Sequence, residues 1–249
     1  MHQIRLAALS ALLVGLAVPL QGQSAGNGYL FGAPDVRFSL HAGYARASAN
    51  SDVFDDATRF LTLNKSSFSG PSISGDLAMT VAPRLDLMVS AAYSAAVRES
   101  EDRDYAEGPN NLPIQQTTSF RRAPLTANAI FYLVPRGRSI GKLAWIPARV
   151  VPWIGAGGGA MWYRFQQEGD FVDYQTLDIL AGRRLESSGW APVLQGLGGV
   201  DVSLTPHVVF TADARYTWAK ATMSGDFVGG FDKIDLSGAT IALGFTLRR

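Results

Sequence analysis

The stretch Ala239-Thr240-Ile241-Ala242-Leu243-Gly244-Phe245-Thr246-Leu247 decides the fold. Ala239, Ile241, Leu243, Phe245 and Leu247 fall on one side; Thr240, Ala242, Gly244 and Thr246 fall on the other. A strict period of two over nine residues is a strand with one apolar face and one small or polar face. About seven further segments of the chain repeat the pattern.

The N-terminus sets the compartment. Arg5 precedes an apolar run from Leu6 to Leu20, and small or polar residues follow from Gln21 to Ala25. That is the layout of a secretory signal peptide, cut near residues 22 to 25, and the run is short for a spanning helix. Residues 1–25 are therefore expected to be a signal peptide and 26–249 one barrel domain. No later apolar run approaches the roughly 20 residues of a transmembrane helix. Charged residues are only 17% of the chain and glycines number 26. A net charge of +1 gives no case for nucleic acid, and the absence of cysteine removes disulfides and thiolate chemistry. Exported, strand-rich and belted with apolar residues, the chain is expected to form an eight-stranded antiparallel up-and-down transmembrane β-barrel, an all-β fold in the outer membrane.

The strands are predicted over Val36 to Ala47, Pro71 to Val81, Leu85 to Val97, Phe120 to Val134, Val150 to Phe165, Trp190 to Leu204, Val208 to Ala219 and Ala239 to Leu247. Ala82-Pro83-Arg84 and Thr205-Pro206-His207 are tight turns, with proline fixing φ. Long polar connections lie over Ser48 to Ser69, Arg98 to Ser119, Gln166 to Gly189 and Lys220 to Ile234. Long external loops and short periplasmic turns are the rule for such barrels, and only the connector Pro135 to Arg149 departs from it. Ten strands result if Phe60 to Phe68 or Leu177 to Leu185 adds a hairpin. In strand five both faces are apolar or glycine; Trp153, Met161, Tyr163 and Phe165 are predicted outward. Tyr44, Tyr93, Tyr163, Tyr216, Trp218 and Trp153 are expected as interfacial girdle residues. A soluble lipocalin-like barrel shares the strand count but turns its apolar face inward. Inward charges argue against it, although in a lipocalin the same residues would face solvent: Asp76, Asp201, Asp213 and Arg215 lie opposite the apolar stripe and are predicted to form a lumen charge network.

Three chemical signals are weak. Gly155-Ala156-Gly157-Gly158-Gly159-Ala160 matches a dinucleotide fingerprint, but a strand follows it where a helix is needed, so no cofactor is expected. Ser39 and His41 share an inward face, about 7 Å apart along the strand, too far for a nucleophile–base hydrogen bond. The loop acids Asp52, Asp55, Asp56, Glu99, Glu101, Asp102, Asp104, Asp173 and Asp178 have no EF-hand spacing, so no defined metal site is expected.

Arg122-Ala123-Pro124-Leu125-Thr126-Ala127-Asn128-Ala129-Ile130-Phe131-Tyr132-Leu133, Val151-Pro152-Trp153-Ile154-Gly155-Ala156-Gly157-Gly158-Gly159-Ala160 and Ala212-Asp213-Ala214-Arg215-Tyr216 resemble the small OmpA-like and OmpW-like outer-membrane barrels over about residues 30–249. The resemblance implies a non-enzymatic structural or surface-exposed protein, or else a narrow conduit for small or apolar solutes; a lipid A-modifying enzyme is disfavoured. It implies outer-membrane lipid and lipopolysaccharide, the barrel-assembly machinery and periplasmic chaperones as partners, no nucleic acid, and a monomer. The family usually ends on an aromatic assembly signal. This chain ends Phe245-Thr246-Leu247-Arg248-Arg249, so Phe245 is expected to serve from a shifted position. No peptidoglycan-binding domain follows, so wall tethering is not implied.

Overall fold

The computed structural model describes residues 28–107, 112–141, 144–172 and 178–249. The expected signal peptide, Pro109-Asn110-Asn111 and Asp173 lie outside them.

Among the described residues there are twelve strands in chain order: β1 Leu30–Phe31, β2 Val36–Ala47, β3 Gly70–Ala82, β4 Leu85–Glu107, β5 Leu112–Tyr132, β6 Gly137–Ile140, β7 Ala144–Pro147, β8 Val150–Val172, β9 Ile179–Ser203, β10 Val208–Thr222, β11 Lys233–Asp235 and β12 Gly238–Arg248. Eight of them close a ring in the order β2-β3-β4-β5-β8-β9-β10-β12 and back to β2, antiparallel throughout. Closure leaves no sheet edge to satisfy in lipid. The seam joins Leu247 to Phe38 and Ala239 to Arg46.

Alternation sorts the faces. Leu40, Ile73, Leu77, Leu87, Val89, Leu125, Phe131, Leu194, Ile241 and Phe245 point away from the lumen and are exposed. Asp76, Ser90, Thr126, Asn128, Gln195, Asp213 and Arg215 are buried inside. A lipocalin would be the inverse, so that alternative is excluded. The apolar belt is the surface of an outer-membrane barrel, and it places the protein in that membrane.

Four findings bear on the sequence reading. First, the expected count of eight holds over the alternative of ten: Asp52–Phe60 is a helix, α1, Lys65–Phe68 is a 3-10 turn, and Leu180 and Leu185 belong to β9 itself. Second, strand five has the opposite phase. Trp153, Met161, Tyr163 and Phe165 are buried, and Ile154 is outward at 52% exposure. Gly155 and Gly157 erase the inward signal because their neighbours fill the space: a Cβ at Gly155 would run into Leu197 and Ile130, and one at Gly157 into the Ala127 carbonyl and Asn128. Third, Tyr163 and Trp153 consequently leave the girdle, whereas Tyr44, Tyr93, Tyr216 and Trp218 are exposed as expected. Fourth, two polar loops are mostly strand. β4 and β5 pair up to Glu107↔Leu112, and β8 and β9 up to Val172↔Ile179. Spanning takes about 9–11 residues, and β4 has 23. The β4-β5-β8-β9 wall therefore overshoots the belt by about ten residues, roughly 30 Å along the strand.

The periplasmic connector folds as the hairpin β6-β7, with β1 added at its edge. At the other end α1 caps the barrel. Its first turn carries Asp52 and Asp55, favourable at a helix N-terminus. Val53, Phe54 and Ala57 share the face that descends into the mouth. Phe54 meets Phe68, Phe120 and Phe165 at ring distances of 4.6, 5.3 and 5.7 Å. Phe227, Ile234 and Leu236 complete this upper apolar core.

Candidate functional site

The lumen is the place where this fold concentrates chemistry, and it is filled in three storeys. The middle storey is built by inward positions of β2, β3, β4 and β10. Arg215 Nε donates to Asp213 at 2.6 Å, and its two terminal nitrogens donate to Asp76 at 3.1 and 2.7 Å. The Asp76 contact is a two-nitrogen fork onto one carboxylate, the geometry that arginine favours. Ser90 donates its hydroxyl to Asp76 as well. His41 stands between the two carboxylates, Nδ1 3.1 Å from Asp76 and Nε2 3.7 Å from Asp213. The His41, Asp76, Asp213 and Arg215 side chains are at most 6% exposed.

The lower storey faces the periplasm. Arg37 bridges Asp86 at 2.8 Å and Asp201 at 3.0 Å. Arg136, from the connector, reaches Asp86 at 3.0 Å and Thr80 at 2.9 Å. Burial, with Arg37 adding to it, holds the Arg136 guanidinium below the ordinary arginine range against the opposing pull of Asp86. Tyr132 donates to Asp86, and Trp153 Nε1 and Thr211 donate to Asp201. Both guanidiniums also lie 5.0 Å from the Tyr132 ring. Arg248 closes the floor by donating to the Pro206 and Thr205 carbonyls.

Between these storeys a space of about 20 Å³ remains, lined by Arg37, His41, Asp76, Trp153 and Arg215. That admits about one water. A second of about 40 Å³ sits higher, beside Ser72, Arg122 and Met161. The upper storey is the phenylalanine core. Beside it a vestibule of about 200 Å³ lies among Val53, Phe60, Leu61, Phe171, Phe227 and Phe231, with Asp56, Asp102, Gln116 and Gln167 at its margin.

Three of the four expected lumen charges, Asp76, Asp213 and Arg215, meet in one cluster. Asp201 is inward as expected but belongs to the lower storey with Arg37. The sequence reading missed Arg37, Asp86 and Arg136, and did not name Asp76 and Asp213 as the partners of His41. Arg37 and Asp86 were within reach, because they share the inward phase that singled out Asp76 and Arg215. Arg136 lies in a connector without periodicity and carried no signal. Ser39 pairs with Thr246 at 2.7 Å, not with His41. Phe245 is outward at 57% exposure, with its ring edge-on to Phe210 at 5.8 Å. Among the described residues no group of three or more His, Cys, Asp or Glu is placed to hold a metal ion.

No family model matches this chain, and no curated protein matches it. Solved structures do. The chain is similar to neisserial surface protein A at 14% identity and a TM-score of 0.44, covering 90% of this chain and 98% of that one. It is similar to the outer membrane protein OprG from Pseudomonas aeruginosa at 16% identity and 0.46, covering 88% and 99%. It is also similar to the outer membrane protease OmpT from Escherichia coli at 8% identity and 0.41, covering 88% and 98%.

Proposed function

We propose that this protein is a non-enzymatic, surface-exposed structural barrel of the outer membrane whose lumen does not conduct. The observation that carries the reading is the filling of the lumen by interlocked ion pairs. An eight-stranded barrel is just wide enough for side chains to fill. Here Arg215 and Asp76 span from β10 to β3, and Arg37 bridges β4 and β9, so the pairs cross the interior. Above them the helix α1 and five phenylalanines stand in the same path. What remains free for partners is the β4-β5-β8-β9 wall and the loops beside it. Phe245, outward on the last strand, is the aromatic we assign to recognition by the assembly machinery during insertion.

The test is electrical. Folded protein in a planar bilayer should give no steady unitary conductance in 1 M KCl. Regular single-channel steps would overturn the reading. A second reading, a conduit for small apolar solutes, draws on the vestibule lined by Phe60, Phe171, Phe227 and Phe231. Uptake of such solutes by vesicles containing the protein, above protein-free vesicles, would favour it.

A further inference from the structure

We propose that the outer face of the β5-β8-β9 ladder is a binding site for a phosphate group carried on an outer-leaflet lipid. The inference holds whether or not the lumen conducts.

The site emerges from the register. Arg121 on β5 and Arg164 on β8 are directly opposed partners. Both lie on the outward phase, Arg121 with Leu125 and Arg164 with Ile154. Like charges placed directly across an antiparallel pair destabilise it. Glu186 relieves one side only: Arg164 Nε lies 2.9 Å from it, and Arg184 shares the same carboxylate at 3.4 Å. The Arg121 side chain has no hydrogen bond or ion pair among the described residues. A doubly charged acceptor between the two guanidiniums removes the repulsion and uses donors that the protein leaves free.

One step nearer the membrane, Trp162 and Trp190 are opposed partners on the same outward face. Trp190 is 66% exposed, and the Arg164 guanidinium lies 5.5 Å from the Trp162 ring. Aromatic rings of this kind sit at headgroup level. Below them the same face continues through Leu125 and Leu194, both in the apolar belt. The order down the ladder is thus two arginines, two tryptophans, then aliphatic surface. An amphiphile with its phosphate uppermost and its acyl chains beneath meets each layer in turn. The arginines lie on the α1 side of the belt, which is the outer leaflet in this topology. Further up, Glu168 opposes Arg184 and points toward Gln166, so the wall turns mixed in charge and the unbalanced cations stay at the membrane boundary. Neighbouring strands echo the step, with Arg46 two residues beyond Tyr44 and Lys220 two beyond Trp218.

The test uses mature protein folded in maltoside micelles doped with bisphosphorylated lipid A, with retained lipid counted by native mass spectrometry. Wild type should retain the lipid. Arg121→Gln or Arg164→Gln should weaken retention about fivefold each, and the double variant about twenty-fivefold, given the worth of one basic residue beside an anionic surface. Arg121→Lys with Arg164→Lys, which keeps the charge, should stay within about twofold and guards against a folding defect. Loss of retention with fully dephosphorylated lipid A supports the proposal. Equal retention of the dephosphorylated lipid would overturn it, as would unaffected glutamine variants. Full competition by inorganic phosphate would mean an anion site indifferent to lipid, and would overturn it too.

Discussion

Replacing Arg215 with alanine tests the interior most directly. The guanidinium is 6% exposed and serves two carboxylates, Asp76 at 2% and Asp213 at 0% exposure. Its removal leaves two negative charges buried, with His41 the other basic side chain, among the described residues, that contacts both. Leaving one member of a buried pair uncompensated costs about 3–5 kcal/mol. Water entering the vacated space offsets part of that, and two carboxylates are orphaned instead of one, so we expect a net loss near 3–5 kcal/mol. The assay is urea unfolding in lipid vesicles, followed by intrinsic fluorescence and by the shift between folded and heated forms on a gel. With a slope of about 2 kcal/mol/M, the midpoint should fall by roughly 2 M. Arg215→Met combined with Asp76→Asn and Asp213→Asn should recover most of the loss, because removal of a whole buried network can be nearly neutral. A change below about 0.5 kcal/mol for Arg215→Ala would refute the reasoning, since it would mean that the charges are solvated and the storey is open. The sequence alone suggests that Arg215→Ala also raises residual conductance. The phenylalanine core above it now makes that outcome depend on a second lesion, so Arg215→Ala alone should stay silent in a planar bilayer.

Further expectations concern the cap, the phase and the topology. Phe54→Ala removes a fully buried ring from the upper core and should cost about 3–4 kcal/mol in that region, read as faster proteolysis of residues 48–69 while the barrel still migrates as folded. Gly157→Val should block folding into vesicles, because its side chain would meet the Ala127 carbonyl and Asn128, whereas Ala156→Val, facing lipid, should be tolerated within about 0.5 kcal/mol. Cysteines at Asp56 and Gly229 should label with an impermeant maleimide in intact cells and one at Pro83 should not; the reverse pattern would invert the topology.

How much of this was legible depended on where each strand sits. β2, β3, β10 and β12 have lipid on one side and a polar lumen on the other, so alternation names their phases residue by residue. β8 lacks that contrast. Its inward face opposes Trp153 and Tyr163 to glycines that accommodate Leu197 and Ile130, and an aromatic read as lipid-facing was in fact core. The overhangs of β4, β5, β8 and β9 rise above the belt, and several of the positions they bury on the inner side are polar, Ser100, Asp102 and Gln116 among them. Arg98-Glu99-Ser100-Glu101-Asp102-Arg103-Asp104 therefore carries no hydropathy period and passes for a loop, although its backbone is laddered on β5 as far as Glu101↔Gln115. The helix did leave a trace: Val53, Phe54 and Ala57 recur at helical spacing in a stretch dismissed as polar. Arg215 finding Asp76 was legible as a need for a partner. That Asp201 would go instead to Arg37 depends on the stagger of β9 against its neighbours, which composition does not encode.

The first external segment is also a clasp. Ser48 N donates to the Ser237 carbonyl at 2.9 Å, Asn50 N to the Asp235 carboxylate at 3.1 Å, and Asp235 N to the Ser51 hydroxyl at 3.1 Å. These bonds fasten the chain just after β2 to the chain just before β12, across the outer end of the seam. The helix they carry rests on Phe120, Phe165 and Phe227, all supplied later in the chain. The helix is thus among the first parts made and among the last able to settle. Its packing is complete only when β5, β8 and the segment after β10 are in place. The same bonds tie the two sides of the β2–β12 seam at its outer end, so releasing the cap and fraying that end of the seam are coupled.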